Sequence, residues 1–270
     1  MNAPKPITSL TNDRVKAIRA LEMRKVRKET GLFVAEGASL LVTARDHGFI
    51  PETLVYQSGT AANGIARGLV THALNAGSEV LEVSEAVLAK LASKDNPQTL
   101  LGVFRQRFAD PPEASKISGG ETWLALEEVR DPGNLGTIIR TADAVGCAGV
   151  MLVGTTCDPF SIESIRATMG SIFAVPIVKM ERPAFIALAK DWPGDVVGTH
   201  LDGREDFRTA DYRGPQLIVM GSEGPGLSSA VAAVCTKLVK IPMAGKLDSL
   251  NLAIATALML YQVRGSHLKL

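Results

Sequence analysis

Three short loops carry the residues whose types and spacing could do chemistry. The first, Arg130-Asp131-Pro132-Gly133-Asn134-Leu135-Gly136, follows an apolar run and opens a helical pattern bearing Arg140 and Asp143. A glycine-bearing turn at a helix amino terminus offers free backbone N–H groups to an anion, Asn134 can cap that helix, and Arg140 is expected to reach the same place. An ordinary turn with an Asn cap and a surface Arg is the plainer alternative. The second loop, Gly221-Ser222-Glu223-Gly224-Pro225-Gly226-Leu227, has three glycines in six residues, enough for a tight bend and close approach of a ligand. Glu223 is the only charged side chain between Arg213 and Lys237. No GKS or GKT follows it and the chain has no GxGxxG, so it is neither a phosphate-binding Walker loop nor a dinucleotide fingerprint. The third loop runs from Ile241-Pro242-Met243 through Lys246, Leu247 and Asp248 to Ser249-Leu250-Asn251-Leu252-Ala253, with Ser249 and Asn251 where helix caps belong. All three offer backbone, amide and hydroxyl groups in place of a strong acid–base pair.

The elements that must position these loops follow from hydrophobic period. Apolar runs at 123–129, 150–153, 175–178, 195–199, 216–220 and 238–241 read as strands. They alternate with helical patterns at 137–145, 161–169, 184–189, 228–235 and 250–263. Short Val-, Ile- and Leu-rich runs separated by helices predict a mostly parallel sheet covered on both faces, whose ligands collect at the carboxyl ends of the strands. Each loop stands at such an end. Upstream, apolar runs at 32–34, 54–56, 80–81 and 100–104 alternate with helical patterns at 38–46 and 86–90, which predicts a small α/β domain. Residues 109–121 gather Pro, Ser and Gly without apolar period and read as a linker, giving domains at 1–108 and 122–270.

At 46% hydrophobic and 21% charged, the chain falls among soluble globular proteins and outside disordered or fibrous classes. The net charge of +1 is a cancellation, because residues 1–108 carry 14 basic and 10 acidic side chains and the rest 15 and 18. Arg14, Lys16, Arg19, Arg24, Lys25, Arg27 and Lys28 share one early helical stretch with Val15, Ile18, Leu21 and Val26 between them, a basic amphipathic pattern that is either a solvated face or a polyanion contact. Three cysteines without CxxC spacing suggest neither a disulfide framework nor a zinc site, and point to a reducing cytoplasm. No signal peptide or membrane span is expected, since the longest apolar stretch, 252–261, is short and interrupted by Thr. The four histidines offer no rival base, and His200 reads as a packed or surface side chain.

Taken together, DPGNLGTIIRTA, GSEGPGLS and IPMAGKLDSLNLAIA closely resemble, in order, the three motifs of the SpoU/TrmH family of RNA 2′-O-ribose methyltransferases. Arg166 to Phe173 (RATMGSIF) is similar to a connecting segment of that family, and the first domain, with Phe33-Val34-Ala35-Glu36-Gly37, looks like the small RNA-binding extension of its ribosomal-RNA members. The resemblance implies a trefoil-knotted, mostly parallel α/β methyltransferase domain, a homodimer with the active site near the subunit interface, and no metal. It implies S-adenosylmethionine held by backbone around Gly221, Ile241, Met243 and Leu250, with Thr199 on the neighbouring strand end. Ala253 departs from the Ser that many members have there, which removes one hydroxyl contact.

By the same resemblance Asn134, Arg140, Glu223, Ser249 and Asn251 are the catalytic set. A guanidinium stays protonated in proteins, so Arg140 is expected to grip a phosphate and steady a developing alkoxide, in its own or its partner's site, and not to act as base. Asn134 and Ser249 would orient the hydroxyl, Glu223 would fix the pocket, and water or phosphate would take the proton. In this context Arg14, Lys16, Arg24, Lys25, Arg27 and Lys28 become the expected RNA contacts. Ribosomal RNA, 23S in particular, is favoured over transfer RNA because of the separate first domain. A non-catalytic RNA-binding protein on the same fold is the alternative, and a nucleotide-dependent oxidoreductase is disfavoured by the missing fingerprint.

Overall fold

The computed structural model describes residues 3–92, 98–246 and 249–268, so Leu247 and Asp248 of the third loop lie outside the described residues. The chain forms two compact units, residues 1–107 with 158–174, and residues 108–157 with 175–270.

In the first unit β1 (Lys5–Ile7), α1 (Asp13–Ala20), α2 (Arg24–Thr30), β2 (Leu32–Glu36) and α3 (Ala38–Asp46) lead into β3 (Thr53–Gln57). There follow α4 (Gly64–Asn75), β4 (Glu79–Val83), α5 (Glu85–Leu91) and β5 (Leu100–Arg105). The sheet order is β1-β4-β3-β5-β2, with β1, β4 and β3 parallel and β5 antiparallel to both its neighbours. Asn12 caps α1 by accepting from the Arg14 N–H at 2.8 Å, and the helix turns Val15 and Ile18 into a core shared with Val87, Leu88 and Leu91 of α5.

The basic stretch is two helices, broken at Leu21–Met23, and its cations differ sharply in role. Arg27 is only 4% exposed. Its Nε donates to Asp158 Oδ2 at 2.8 Å, and its second nitrogen donates to the Leu21 and Glu22 carbonyls at 2.8 and 2.7 Å. Its expected place among the RNA contacts is therefore corrected: every donor face is turned inward, and a buried charge so paired is structural.

The second unit begins with β6 (Thr122–Glu127), α6 (Pro132–Ala144) and β7 (Gly149–Val153). Residues 158–174, with α7 (Ile162–Thr168), belong to the first unit, although the expected domain of 122–270 contains them. Their side chains explain why. Phe160 stacks on Phe33 at 4.9 Å between centroids, Phe173 meets Phe104 and Phe49 at 5.0 Å each, and Asp158 neutralises Arg27.

The unit resumes with β8 (Ile177–Met180), α8 (Arg182–Lys190), β9 (Val196–Thr199), β10 (Glu205–Asp206) and β11 (Gln216–Met220). It closes with α9 (Ser229–Ala232), β12 (Lys237–Lys240) and α10 (Leu252–Arg264). All seven strands are parallel, in the order β10-β12-β9-β11-β6-β7-β8. Every residue of β6, β7 and β11 is buried, as a sheet covered on both faces requires. Each fully buried Leu, Ile, Val or Met there stabilises the fold by about 1.5–3 kcal/mol. The expected linker is partly strapped down: the Ala109 N–H donates to the Ile177 carbonyl at 2.8 Å, and Ile117 packs on the core of this unit. Among the described residues no helix is long and apolar enough to cross a membrane.

Candidate functional site

Sheet order decides where a site can form. From β6 the chain builds outward through β7 and β8 on one side, while β11, β9 and β12 fill the other, so the direction of winding reverses between β6 and β11. Loops leaving strand ends at such a reversal diverge and leave a crevice. A cavity of about 710 Å³ lies there, lined by the ends of β9, β11 and β12, by the start of α6 and by the start of α10.

Asp131, not Asn134, caps α6; its carboxylate accepts from the Asn134 N–H at 2.6 Å. This corrects the expected capping role and frees the Asn134 amide for the cavity. Its Nδ2 donates to the Glu223 carboxylate and its Oδ1 accepts from Asn251 Nδ2 at 3.0 Å. Asn251 does cap its helix, since its Oδ1 accepts from the Ala253 and Ile254 N–H groups at 2.9 and 3.3 Å. One amide thus ties the three loops together, with both of its polar ends engaged.

The second loop is pinched shut by reciprocal backbone bonds between Ser222 and Gly226, at 3.1 and 3.0 Å. Gly221 makes the pinch feasible, because a Cβ there would lie 2.1 Å from the Gly226 carbonyl carbon and 2.3 Å from the Leu227 nitrogen. Ser228, which closes the loop, is anchored from beneath. Its N–H and hydroxyl donate to the buried Glu127 carboxylate at 2.8 and 2.6 Å, and Arg182 Nε donates to the same group at 2.7 Å. Arg182 also reaches Glu128 at 2.5 Å, the hydrogen bond to Glu127 holds its guanidinium above the usual range, and Glu128 sits in the left-handed region at φ 52°. A non-glycine residue there costs of order 1–3 kcal/mol, here at the entrance to the first loop.

Asn134, Glu223, Ser249, Asn251, Thr199, Gly221, Ile241, Met243 and Leu250 all line this one cavity. Arg140 does not, and it is exposed on α6. Six residues at 100° each carry it about 240° round the helix from Asn134, so closeness in sequence here is divergence in space. The expectation that both reach one place is corrected for a single chain. Of the basic set, Arg14 is engaged with Glu79 and Thr53, while Lys16, Arg24, Lys25 and Lys28 are exposed in the first unit.

His200, Asp202 and Lys240 also line the cavity and were not expected to. His200 and Asp202 directly follow Thr199 at a strand end, which was the available signal; the Asp202 N–H donates to His200 Nδ1 at 3.1 Å. Burial pushes the Cys147 and Cys235 thiols up to about 12, with the Glu127 charge adding to the effect at Cys235, so neither is a nucleophile at neutral pH. No cluster of His, Cys, Asp and Glu able to hold a metal occurs among the described residues.

Comparison with known proteins covers the stretches of chain that carry the three loops and the first unit. The SpoU rRNA Methylase family matches residues 121–261, and an MRM3-like substrate binding domain matches residues 12–102. An uncharacterized tRNA/rRNA methyltransferase of Synechocystis is 33% identical, covering 96% of this chain and 93% of its own. The 23S rRNA (guanosine(2553)-2'-O)-methyltransferase of Bacillus subtilis is 30% identical over 97% of this chain and 100% of its own. A crystal structure of an AdoMet-bound rRNA methyltransferase from Sinorhizobium meliloti superposes with a TM-score of 0.90 at 46% identity, covering 98% of this chain and 99% of that one.

Proposed function

Because this chain belongs to the SpoU rRNA methylase family, an RNA 2′-O-methyltransferase family that uses S-adenosylmethionine, we propose that it methylates a ribose 2′-hydroxyl of 23S ribosomal RNA. The observation that carries this reading is the convergence of the three loops through the Asn134 amide on one glycine-pinched cavity. The relative from Bacillus subtilis, aligned over its whole length and named for 23S rRNA, supports the choice of RNA.

The residues present fit the cofactor. The cavity has the volume of a small-molecule site, the pinched backbone at Gly221 excludes even a methyl side chain, and Glu223, Asp131 and Asp202 on the walls suit a cation. Thr199, Gly221, Ile241, Met243 and Leu250 would hold it. When bound, S-adenosylmethionine supplies an electrophilic methyl group on a sulfonium.

The protein's part is placement. Asn134, clamped at both ends of its amide, and Ser249, exposed at the cavity, hold the ribose hydroxyl in line for attack. Fixing two reactants in that way contributes about 7–11 kcal/mol. Glu223 is committed to Asn134 and serves to set the amide, leaving water or the neighbouring phosphate to take the hydroxyl proton. Arg140 grips that phosphate and steadies the developing alkoxide through its planar pair of donors.

Since Arg140 turns away from its own cavity, its natural station is the site of a second copy. The homodimer proposed here uses α10, on which Ile254, Leu258 and Tyr261 are 54%, 40% and 52% exposed along one face. The carboxyl-terminal trefoil knot of the family accords with Ile241, Met243 and Asn251 meeting Gly221 and Asn134 around one cavity. A reducing cytoplasm suits the three free thiols. Lys16, Arg24, Lys25 and Lys28, all exposed on the first unit, are among the cations proposed to meet RNA phosphates. Sedimentation of the wild type and Leu258→Glu tests the dimer: a monomeric variant that no longer methylates RNA supports the shared site, and a fully active monomer removes it. Calorimetric titration of the wild type with S-adenosylmethionine, with Asn134→Ala as a variant that fails to methylate, tests the assignment. A wild type that binds no cofactor overturns it.

A further inference from the structure

The cations of the first unit differ in how they are engaged. Lys5 and Arg14 are engaged with Glu79, Arg45 with Asp46, Arg105 with Glu52, and Arg27 is buried. The Arg19 guanidinium, like the exposed Lys28 and Arg67 side chains, has no polar partner among the described residues. Arg19 stands with Lys16 and Lys90 at the edge of a hollow of about 350 Å³ between α1, the Leu21–Met23 turn and α5. Lys16 is held only by an exposed pair with Asp13 three residues away, the kind worth a few tenths of a kcal/mol, and Lys90 donates to the Leu10 carbonyl at 3.1 Å. Glu22 is the one acidic side chain on the lining.

The wall of the hollow is apolar. Met23 is 57% exposed and Leu10 41%, both lining it above the buried Val15. A base-paired helix presents phosphates and leaves such a wall unused, and an apolar protein surface leaves three cations unused. The chemistry that uses both is a flat apolar face joined to a negative edge, which is an unpaired nucleotide. We infer that this hollow seats one unpaired nucleotide of the RNA substrate, its base against Met23 and Leu10 and its phosphates on Arg19, Lys16 and Lys90. The inference rests on the reading of this chain as an RNA methyltransferase and assigns within it a part of the substrate site distant in sequence from the three loops.

The test uses the full chain, transcribed 23S ribosomal RNA as probe, and binding measured across a range of salt. Arg19→Ala with Lys90→Ala removes two phosphate contacts, and the slope of log affinity against log salt becomes shallower by about 1.4. Met23→Ala weakens binding about five- to tenfold at constant slope, the low end of what a stacking side chain contributes, while Met23→Phe binds as tightly as wild type or tighter. Arg19 and Met23 are exposed and Lys90 half-buried in the first unit, circular dichroism checks that the double variant folds, and S-adenosylmethionine affinity, measured in parallel, stays at the wild-type value. The inference is overturned if affinity and slope are unchanged in the double variant, or if Met23→Phe loses as much as Met23→Ala. A wild type that binds no RNA defeats the activity reading itself, and the wild-type arm reads that out separately from the variants.

Discussion

Replacing Gly221 by Ala is the sharpest available perturbation of the proposed cofactor pocket. The added methyl carbon would lie 2.1, 2.3 and 2.4 Å from the Gly226 carbon, the Leu227 nitrogen and the Gly226 oxygen, all of them backbone atoms. No rotamer change relieves such contacts, so the two limbs of the loop must part by roughly 1 Å or more. Retaining the loop costs about 1–3 kcal/mol of overpacking. Opening it breaks the two Ser222–Gly226 bonds, at about 0.5–1.5 kcal/mol each, which is the same range. A free loop relieved by opening must repay that amount to close around the ligand, and S-adenosylmethionine affinity should then fall about 5- to 150-fold. Isothermal titration measures it, with circular dichroism confirming the fold. Gly245→Ala is the matched comparison: it lies in the third loop, has no left-handed φ and meets nothing within 4 Å, so it should bind like wild type. Binding within twofold of wild type by Gly221→Ala, or an equal loss in Gly245→Ala, would refute the pinched-loop reasoning.

Three further outcomes follow from side chains already described. Glu127→Gln places an amide donor against the Ser228 and Arg182 donors, and should destabilise the second unit by about 2 kcal/mol, seen calorimetrically as a melting shift of about 4–8 °C, together with weaker cofactor binding. Arg140→Lys should lose nearly all methylation with cofactor affinity intact if the planar donor pair is what matters; appreciable activity would favour a point charge, and an equal loss of cofactor affinity would remove Arg140 from both roles. Although burial alone would raise the Asp195 carboxyl, Lys237 and the Arg213 N–H hold it below its ordinary value near 3.8. Its stabilisation is therefore present above that value and lost as pH falls through the lower folded one, so Asp195→Asn should be less stable than wild type at pH 7, with the gap in denaturant midpoint closing in acid.

Much of the fold is legible in hydrophobic period, and the departures have local causes. The run at 216–220 and the helix at 38–46 appear with the expected bounds, because each is flanked by clear breakers. The helix at 64–75 is hidden by Gly64 and Gly68, and the helix expected over 228–235 shrinks to four residues after its Ser228 cap. The basic stretch breaks because Arg27 folds inward on the Leu21 and Glu22 carbonyls, a tertiary event invisible to periodicity. Residues 158–174 join the first unit through Phe160 and Phe173, and no local pattern says which aromatic cluster a Phe will enter.

At the site, strand-end position singled out the three loops, while the nine individual residues that line the cavity were named by resemblance to the SpoU/TrmH motifs. Arg140 stands apart from its own cavity because a six-residue step turns to another helix face, and which copy's site it serves is not legible in one sequence; His200 and Asp202 line the cavity because they adjoin Thr199.

Methyl transfer to a ribose hydroxyl is tested most directly by incubating the purified chain with S-adenosylmethionine and unmodified 23S ribosomal RNA, then mapping 2′-O-methyl nucleotides by mass spectrometry. A single 2′-O-methylated nucleotide, absent with Asn134→Ala, is the predicted result. A methyl group on a base, or no modification of that RNA while transfer RNA is modified instead, would contradict the proposed activity or its substrate respectively.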